Sequence, residues 1–475
     1  MACRFRDSSR CALGLGLAVL AALVMPATAL AEFPYLTLVD SGLDNRHPIG
    51  TAIRNWPQTG DTLLLVEHID DDGTSQWLNF HARDCGTAAG CPTPAFVQDA
   101  LITQTPYGEH FTHPTLSIRK ATGSAPVEAR IVWAEKYQVD CDGDGLGFED
   151  GDNDDKKQAD LWVTGWDRAS LSFLPYRWVE LDAAGGACPD VGVGIVRFTQ
   201  NALPTVACYT FKPDIGDTDR VACNNDNLVW PLIWPNHTEV DNVGADEDHP
   251  GWDFIGPTSE RFIASTWRGV GLNQIRVHRE DNPAGPNFAT FAGTTGLVDH
   301  ASVYTTSNRI HLVWREGAAN GFEDASATVW YSSCAPSAMV DCGLTASWDV
   351  ATAVVDASSG FNNSAQFPQF VADGNRQFVY YQYDSKPGAG DTQTRVALAS
   401  RCMGDPWGLE MVSAPSFDSN DQVVGIGRPG IVVNKNNNTV HVVYAEINNY
   451  TDTWSMSDST LGSAFWARDT YDDCP

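Results

Sequence analysis

Lysine is nearly missing from this chain, with seven residues in 475, and acidic side chains outnumber basic ones 60 to 30. The formal charge of −30 speaks against a face built to neutralise phosphates, because nucleic acid and anionic membranes would both be repelled. It suits instead a soluble chain that gathers divalent cations. Beyond the N-terminus there is no apolar run of about 18 residues, so no membrane-spanning helix and no membrane insertion are expected. No Cys-x-x-Cys occurs, and a thiolate zinc site is not expected either. Also missing are long segments of helical periodicity, and any G-x-S-x-G, P-loop or dinucleotide glycine pattern in a strand–turn–helix setting.

What the N-terminus does hold is a leader plan. Arg4, Arg6 and Arg10 precede an apolar run over 11–25, and Ala29-Leu30-Ala31 stands just before Glu32. Residues 1–31 read as a secretory signal cleaved near Ala31, leaving 32–475 as a secreted, extracellular or periplasmic domain. Of the twelve cysteines, Cys3 and Cys11 would leave with it. The ten that remain are an even number in an exported chain and imply disulfides. Cys85/Cys91, Cys208/Cys223 and Cys334/Cys342 are close enough to be local loop staples. Cys141/Cys188 and Cys402/Cys474 follow by elimination.

The chain also repeats. A strand ending in an aromatic or apolar residue and then an acidic or amide residue recurs as "LLLVE" (Glu67), "IVWAE" (Glu135), "HLVWRE" (Glu316), "FVYYQ" (Gln382) and "VVYAE" (Glu446), with "FIASTWR" as a weaker copy. Upstream of these stand His47-Pro48, His113-Pro114, His249-Pro250, His300-Ala301, Phe367-Pro368 and Arg428-Pro429. Downstream come a third alternating strand ("QWLNFHA", "ADLWVTGW", "NQIRVHR", "ATVWYSS", "TRVALAS", "DTWSMSD") and an aromatic that opens a fourth: Phe96, Trp178, Phe288, Trp348, Trp407 and Trp466. Period-two alternation, β-branched and aromatic enrichment and Gly/Asn/Asp turns all favour strands. Four-strand units repeated in this way predict an all-β, six-bladed β-propeller with antiparallel blades and insertions. The stretch of about 184–248 is an insertion or a degenerate seventh blade.

The blade pattern resembles the sialidase-like propellers with BNR repeats. "SDSTLGSAFW" and "DCGLTASW" keep the small turn residues and the Trp of that family's Asp-box, in degenerate form. The resemblance implies a propeller acting on a carbohydrate or another extracellular ligand, as a glycoside hydrolase or polysaccharide lyase, and as a monomer.

First strands line the channel of such a propeller, so His47, His113, His249 and His300 are expected to ring one mouth. Glu135 and Glu316 would stand behind them, and Arg428 would complete the ring. Histidines and carboxylates so grouped can work as general acid and base, or hold a second metal. The arrangement resembles the axial histidines of carotenoid-cleaving oxygenases and of propeller lyases, which leaves a His-ligated metalloenzyme open. So is a non-catalytic binding module, in which His-Pro is only strand grammar. The other seven histidines, among them His81, His278, His311 and His441, read as ordinary strand or surface residues.

One further segment, "DCDGDGLGFEDGDNDD" (140–155), joins strands two and three of the second blade. Asp140, Asp142, Asp144 and Gly145 match the start of an EF-hand-type calcium loop, whose alternate carboxylates aim inward. The twelfth place is Gly151, so Glu149, Asp150 or Asp152 would have to supply the last ligand. Asp152 and Asp154 resemble a second ion site of the thrombospondin type 3 kind. Eight crowded acidic residues repel without a cation. A structural Ca²⁺ clip on the rim, apart from the chemistry, is the expectation.

Overall fold

Alternation in the sequence becomes strand after strand in the computed structural model. It describes residues 33, 35–40, 49–56, 63–71, 75–86, 91–106, 110–118, 128–137, 158–175, 177–180, 196–198, 206–211, 220–225, 238–241, 246–255, 260–269, 272–279, 288–292, 297–317, 327–337, 339–355, 362–388, 391–412, 422–424, 430–435, 437–447 and 462–474. These strands fall into seven antiparallel sheets. The first holds Ile49–Trp56, Leu63–Asp71, Ser75–Asp84 and Ala95–Pro106. The second holds His110–Ile118, Glu128–Tyr137, Gln158–Asp167 and a fourth strand split into Ser172–Phe173 and Arg177–Glu180. The segment that reads in sequence as insertion or degenerate blade pairs as a third sheet of Val196–Phe198, Val206–Phe211, Arg220–Asn225 and Thr238–Asp241.

The fourth sheet is Asp246–Ile255, Glu260–Gly269, Leu272–Arg279 and Phe288–Ala292. The fifth is Leu297–Thr305, Ile310–Gly317, Thr328–Cys334 and Thr352–Val355. The sixth is Asn362–Asp373, Arg376–Gly388, Asp391–Cys402 and Gly408–Met411. In each of the first six sheets the innermost strand lies beside that of the next, and Ile431–Asn434 of the seventh returns to Ile49–Trp56 of the first. A ring of four-stranded antiparallel sheets closed in this way is a β-propeller.

The seventh sheet is built differently from the expectation. Its inner strand is broken into Gln422–Val424 and Ile431–Asn434, both paired with Thr439–Ile447. "DTWSMSD" lies outside the described residues. Trp466 does not open a fourth strand but sits inside the third, Gly462–Thr470, opposite Val443. The outer strand is Tyr35–Asp40, from the other end of the chain, paired from Tyr35↔Arg468 to Asp40↔Ala464. Local pattern cannot reveal such a strand, because its partner is remote in sequence.

Side chains explain why the sheets stack. Ser75–Asp84 alternates half-buried and buried positions over its first half, whereas Ile310–Gly317 is buried throughout. A second strand is flanked on both faces by neighbouring sheets, so both of its faces must pack. Apolar clusters accordingly bridge adjacent sheets: Leu78, Phe80, Ile131 and Trp166 between the first and second, and Leu64, Val66, Val443 and Trp466 between the seventh and first. Trp166 packs on Phe80 at 5.1 Å between ring centroids, and Phe291 on Trp314 at 5.3 Å. Such pairs add to simple area burial.

Three of the expected disulfides are present: Cys85–Cys91, Cys334–Cys342 and Cys402–Cys474. Cys208 and Cys223 stand directly opposite each other in register. Cys141 and Cys188 lie outside the described residues. Among the described residues no helix is long and apolar enough to cross a membrane.

Candidate functional site

The recurring dipeptides at the head of the inner strands turn out to be β-bulges. In the second sheet the register jumps between Thr112 and Thr115, around His113-Pro114. In the fourth it jumps between Asp248 and Gly251, around His249-Pro250. The fifth jumps between Asp299 and Ser302, around His300-Ala301, and the sixth between Gln366 and Gln369, around Phe367-Pro368. Proline has no N–H to give to a ladder, so a bulge is where a strand tolerates it. The bulges face Trp133, Ser265, Trp314 and Tyr381 of the second strands, one level in each sheet.

Two bulged residues adopt a backbone that favours glycine. His300 has φ 52° and Phe367 has φ 50°. A side chain in the left-handed region costs about 1–2 kcal/mol, more readily tolerated where a site needs that side chain than where it does not. The His300 ring, 7% exposed, packs on the Phe367 ring at 4.3 Å. Tyr304 and Phe370, a few residues further on, also meet, at 5.7 Å. The inner strands of the fifth and sixth sheets therefore run side by side in step, and their bulges touch at one rim.

Of the residues expected at this mouth, His300 and Glu316 are fully described. Glu316 is buried, at the end of the second strand, opposite Val298. His113, His249 and Glu135 are placed by backbone alone: the two histidines within bulges, Glu135 opposite Phe111. His47 and Arg428 lie outside the described residues. Also outside are Asp140, Asp142, Asp144, Glu149, Asp150, Asp152 and Asp154. Among the described residues no three His, Cys, Asp or Glu side chains are grouped so as to hold a metal.

Sequence reasoning missed two histidines at the opposite end of the second strands. His311 and His441 are fully buried, at matching positions in "HLVW" and "HVVY". The signal was there: Arg130, Phe378 and both histidines stand three residues before the bulge-level aromatic or its counterpart. His311 Nδ1 lies 2.8 Å from Tyr331 Oη, which accepts from Gln377 Nε2 at 3.1 Å, while Arg401 Nε donates to Gln377 Oε1 at 2.7 Å. His311 Nε2 lies 3.5 Å from Thr306 Oγ1, so both ring nitrogens face a hydroxyl.

His441 repeats the plan. Trp466 Nε1 donates to its Nδ1 at 3.3 Å, and its Nε2 lies 2.8 Å from Thr439 Oγ1, which donates to Asn437 Oδ1. An indole can only donate, so this ring carries its proton on Nε2. Burial, and then Arg309 and Arg401, push His311 down to about 3. Burial, and then Arg468, does the same to His441, also to about 3. Both are buried neutral groups; His311 also reaches the sixth sheet, stacked on Phe370 at 4.5 Å. Replacing Tyr331 by Phe strands a His311 nitrogen and the Gln377 amide, and is expected to cost about 1–3 kcal/mol in a urea titration.

His81, also ordinary by its sequence context, is buried and stands 2.8 Å from Asp99 Oδ1, with Arg83 NH2 3.0 Å from Oδ2. Burial alone would raise the Asp99 carboxyl, but the His81 and Arg83 contacts outweigh it and hold the group well below the usual range.

No protein-family model matches the chain, and no curated protein matches it in sequence. Solved structures are similar at low identity. A mutant of an α-L-arabinofuranosidase from Fusarium graminearum, in complex with an iminosugar inhibitor, is 11% identical, covering 92% of this chain and 98% of that one, with a TM-score of 0.44. The polysaccharide lyase Uly1 is 9% identical over 92% and 94%, with a TM-score of 0.47. An α-L-arabinanase from Penicillium chrysogenum is 11% identical over 92% and 98%, with a TM-score of 0.43. The propeller fold itself rests on this chain's own strand pairing and ring closure.

Proposed function

We propose that the protein is a secreted, carbohydrate-active β-propeller that binds and cleaves a glycan at the rim where the bulged dipeptides stand. The observation that carries this reading is His300, a bulky residue held at φ 52° and buried on Phe367 where glycine would fit without strain. His113, His249 and His300 would bind the sugar hydroxyls or take a proton, with His47 and Arg428 beside them. Glu135 and Glu316 would serve as acid/base or hold the histidines.

A panel of plant, algal and microbial polysaccharides, assayed for reducing ends and for unsaturated products, tests the reading. Glu316→Gln is expected to lower turnover at least about 100-fold, the usual scale for removing a proton-transfer group, while the fold is kept. His300→Gly relieves the left-handed strain but removes the ring contact, so melting within about 2 °C of wild type is expected as these offset. Glycan binding should be lost. Binding with no turnover in wild type would favour the non-catalytic propeller, a reading the packed His300 ring also fits.

Calcium belongs to this proposal on the loop's sequence alone, through Asp140, Asp142 and Asp144, with Glu149, Asp150, Asp152 and Asp154 following. A chelator is expected to lower the melting temperature without removing glycan binding, and elemental analysis of the purified protein would report the metal.

A further inference from the structure

We infer, resting on the glycan-cleaving reading above, that the seam between the fourth and fifth sheets is a sugar subsite beside Glu316. Thr266, Asn273, Trp314 and Trp330 would take the hydroxyls of a neutral glycan there. The side chains that face this seam form one apolar cluster, with Ala264, Ile275 and Phe291 from the fourth sheet and Trp314 and Trp330 from the fifth. Alternation puts Thr266, two residues past Ala264, and Asn273, two before Ile275, on the same side.

Register fixes their level. Thr266, Ile275 and Phe291 are successive partners across three strands. The Phe291 ring meets the Trp314 ring at 5.3 Å, and Trp314 stands opposite Trp330. Thr266 and the two indoles therefore share one level of the seam, with Asn273 a step nearer the mouth. Strands stand about 4.8 Å apart and alternate residues about 7 Å, a spacing that sugar rings can bridge.

What singles out these side chains is the state of their polar atoms. Thr266 is fully buried and Trp314 is 3% exposed. Thr266 Oγ1, the Trp314 and Trp330 indole N–H groups and both amide atoms of Asn273 are shielded from solvent and make no hydrogen bond among the described residues. A third indole of the same cluster, Trp348, donates to the Cys342 carbonyl at 2.9 Å. Buried polar groups are almost always paired, and leaving them unmade is costly. Asn273 and Trp330 are only half-buried as residues, so the site reaches the surface beside them.

The chemistry names the ligand. An indole N–H donates only, whereas a hydroxyl and an amide do both, and sugar hydroxyls answer each of them. Glu316, buried two residues beyond Trp314 on the same face, adds a carboxyl. Among the described residues, the basic side chain facing this seam is Arg279, held at the far end 3.8 Å from Asp341. An acidic sugar would meet Glu316 with that cation out of reach, so the seam favours a neutral one.

The test follows the indole N–H resonances of the oxidised full chain, assigned with Trp314→Phe and Trp330→Phe. Galactan, xylan and mannan oligosaccharides are the neutral probes, and polygalacturonate fragments the acidic one. A neutral probe is expected to shift both resonances. Thr266→Val loses only an unbonded hydroxyl and is expected to melt at or above the wild-type temperature. Its KM should rise about 10-fold with kcat held within about twofold; in a protein that binds without turnover, Kd rises instead. Unchanged KM and Kd in Thr266→Val, cleavage of a neutral glycan without movement of either resonance, or a shift with the acidic fragments alone overturns the subsite and leaves the glycan reading standing. Should Trp314→Phe not fold, Trp330→Phe and Asn273→Ala are held to the same outcomes. A wild type that binds none of these probes overturns the subsite, and one that binds no polysaccharide at all overturns the glycan reading with it.

Discussion

Acidification from pH 6.5 to pH 4.5 is expected to remove about 5 kcal/mol of stability through His311 and His441 alone. Both rings are neutral in the fold, and at His441 the donor-only indole of Trp466 fixes the proton on Nε2. In the unfolded chain each takes a proton near its ordinary value of 6.5; in the folded chain each resists until about 3. Between those limits the unfolded state binds more protons, so stability is full above 6.5 and falls as pH falls, by about 1.4 kcal/mol per unit for each ring. Urea titrations at pH 7, 5.5 and 4.5 give the slope directly. His311→Gln or His441→Gln lowers stability at pH 7 but is expected to halve the slope in acid. A slope unchanged in both variants would place the acid lability elsewhere.

Removing the Cys402–Cys474 bridge ranks next. It spans 72 residues, and cross-linking a loop of that length takes about 4 kcal/mol of disorder out of the unfolded chain. The bridges at separations of 6 and 8 close short loops and contribute less on the same account, about 2 kcal/mol each. Cys474→Ser with Cys402→Ser is therefore expected to lower the denaturation midpoint more than the paired serines at Cys85 and Cys91. Tyr471, bonded to Asp373 and packed on Phe378 at 5.0 Å, and Asp473, accepting from Asn438 Nδ2 at 3.0 Å, still hold the tail, so the loss should stay near the entropic value. Equal losses from the two pairs would show that the tail is not what fastens the ring.

Much of this is legible in the residues, for physical reasons that differ from one feature to the next. The first half of Ser75–Asp84 alternates because one face packs harder than the other, and alternation is visible in any window. Cys334–Cys342 is legible from proximity, and Cys402–Cys474 by elimination. Sequence also reveals the dipeptides but not their meaning: His300-Ala301 and Phe367-Pro368 recur because a bulge recurs, which depends on what the paired strand does. His311 and His441 escape notice because a strand buried on both faces hides polar residues among apolar ones. Arg468, fully buried with Nε and NH2 donating to the carbonyls of Cys91 and Pro92, is of the same kind. Its partners are remote in sequence, and no spacing rule can point to them.

The borrowed outer strand of the seventh sheet also sets an order of events. Until Gly462–Thr470 has left the ribosome, Tyr35–Asp40 has no edge to join, and an emerging chain carries an open sheet at each end. Such edges recruit strands from other molecules. Closure of the seventh sheet therefore waits until synthesis has passed Thr470, and crowding during production should penalise this protein more than a fold whose neighbours in sequence are also neighbours in space.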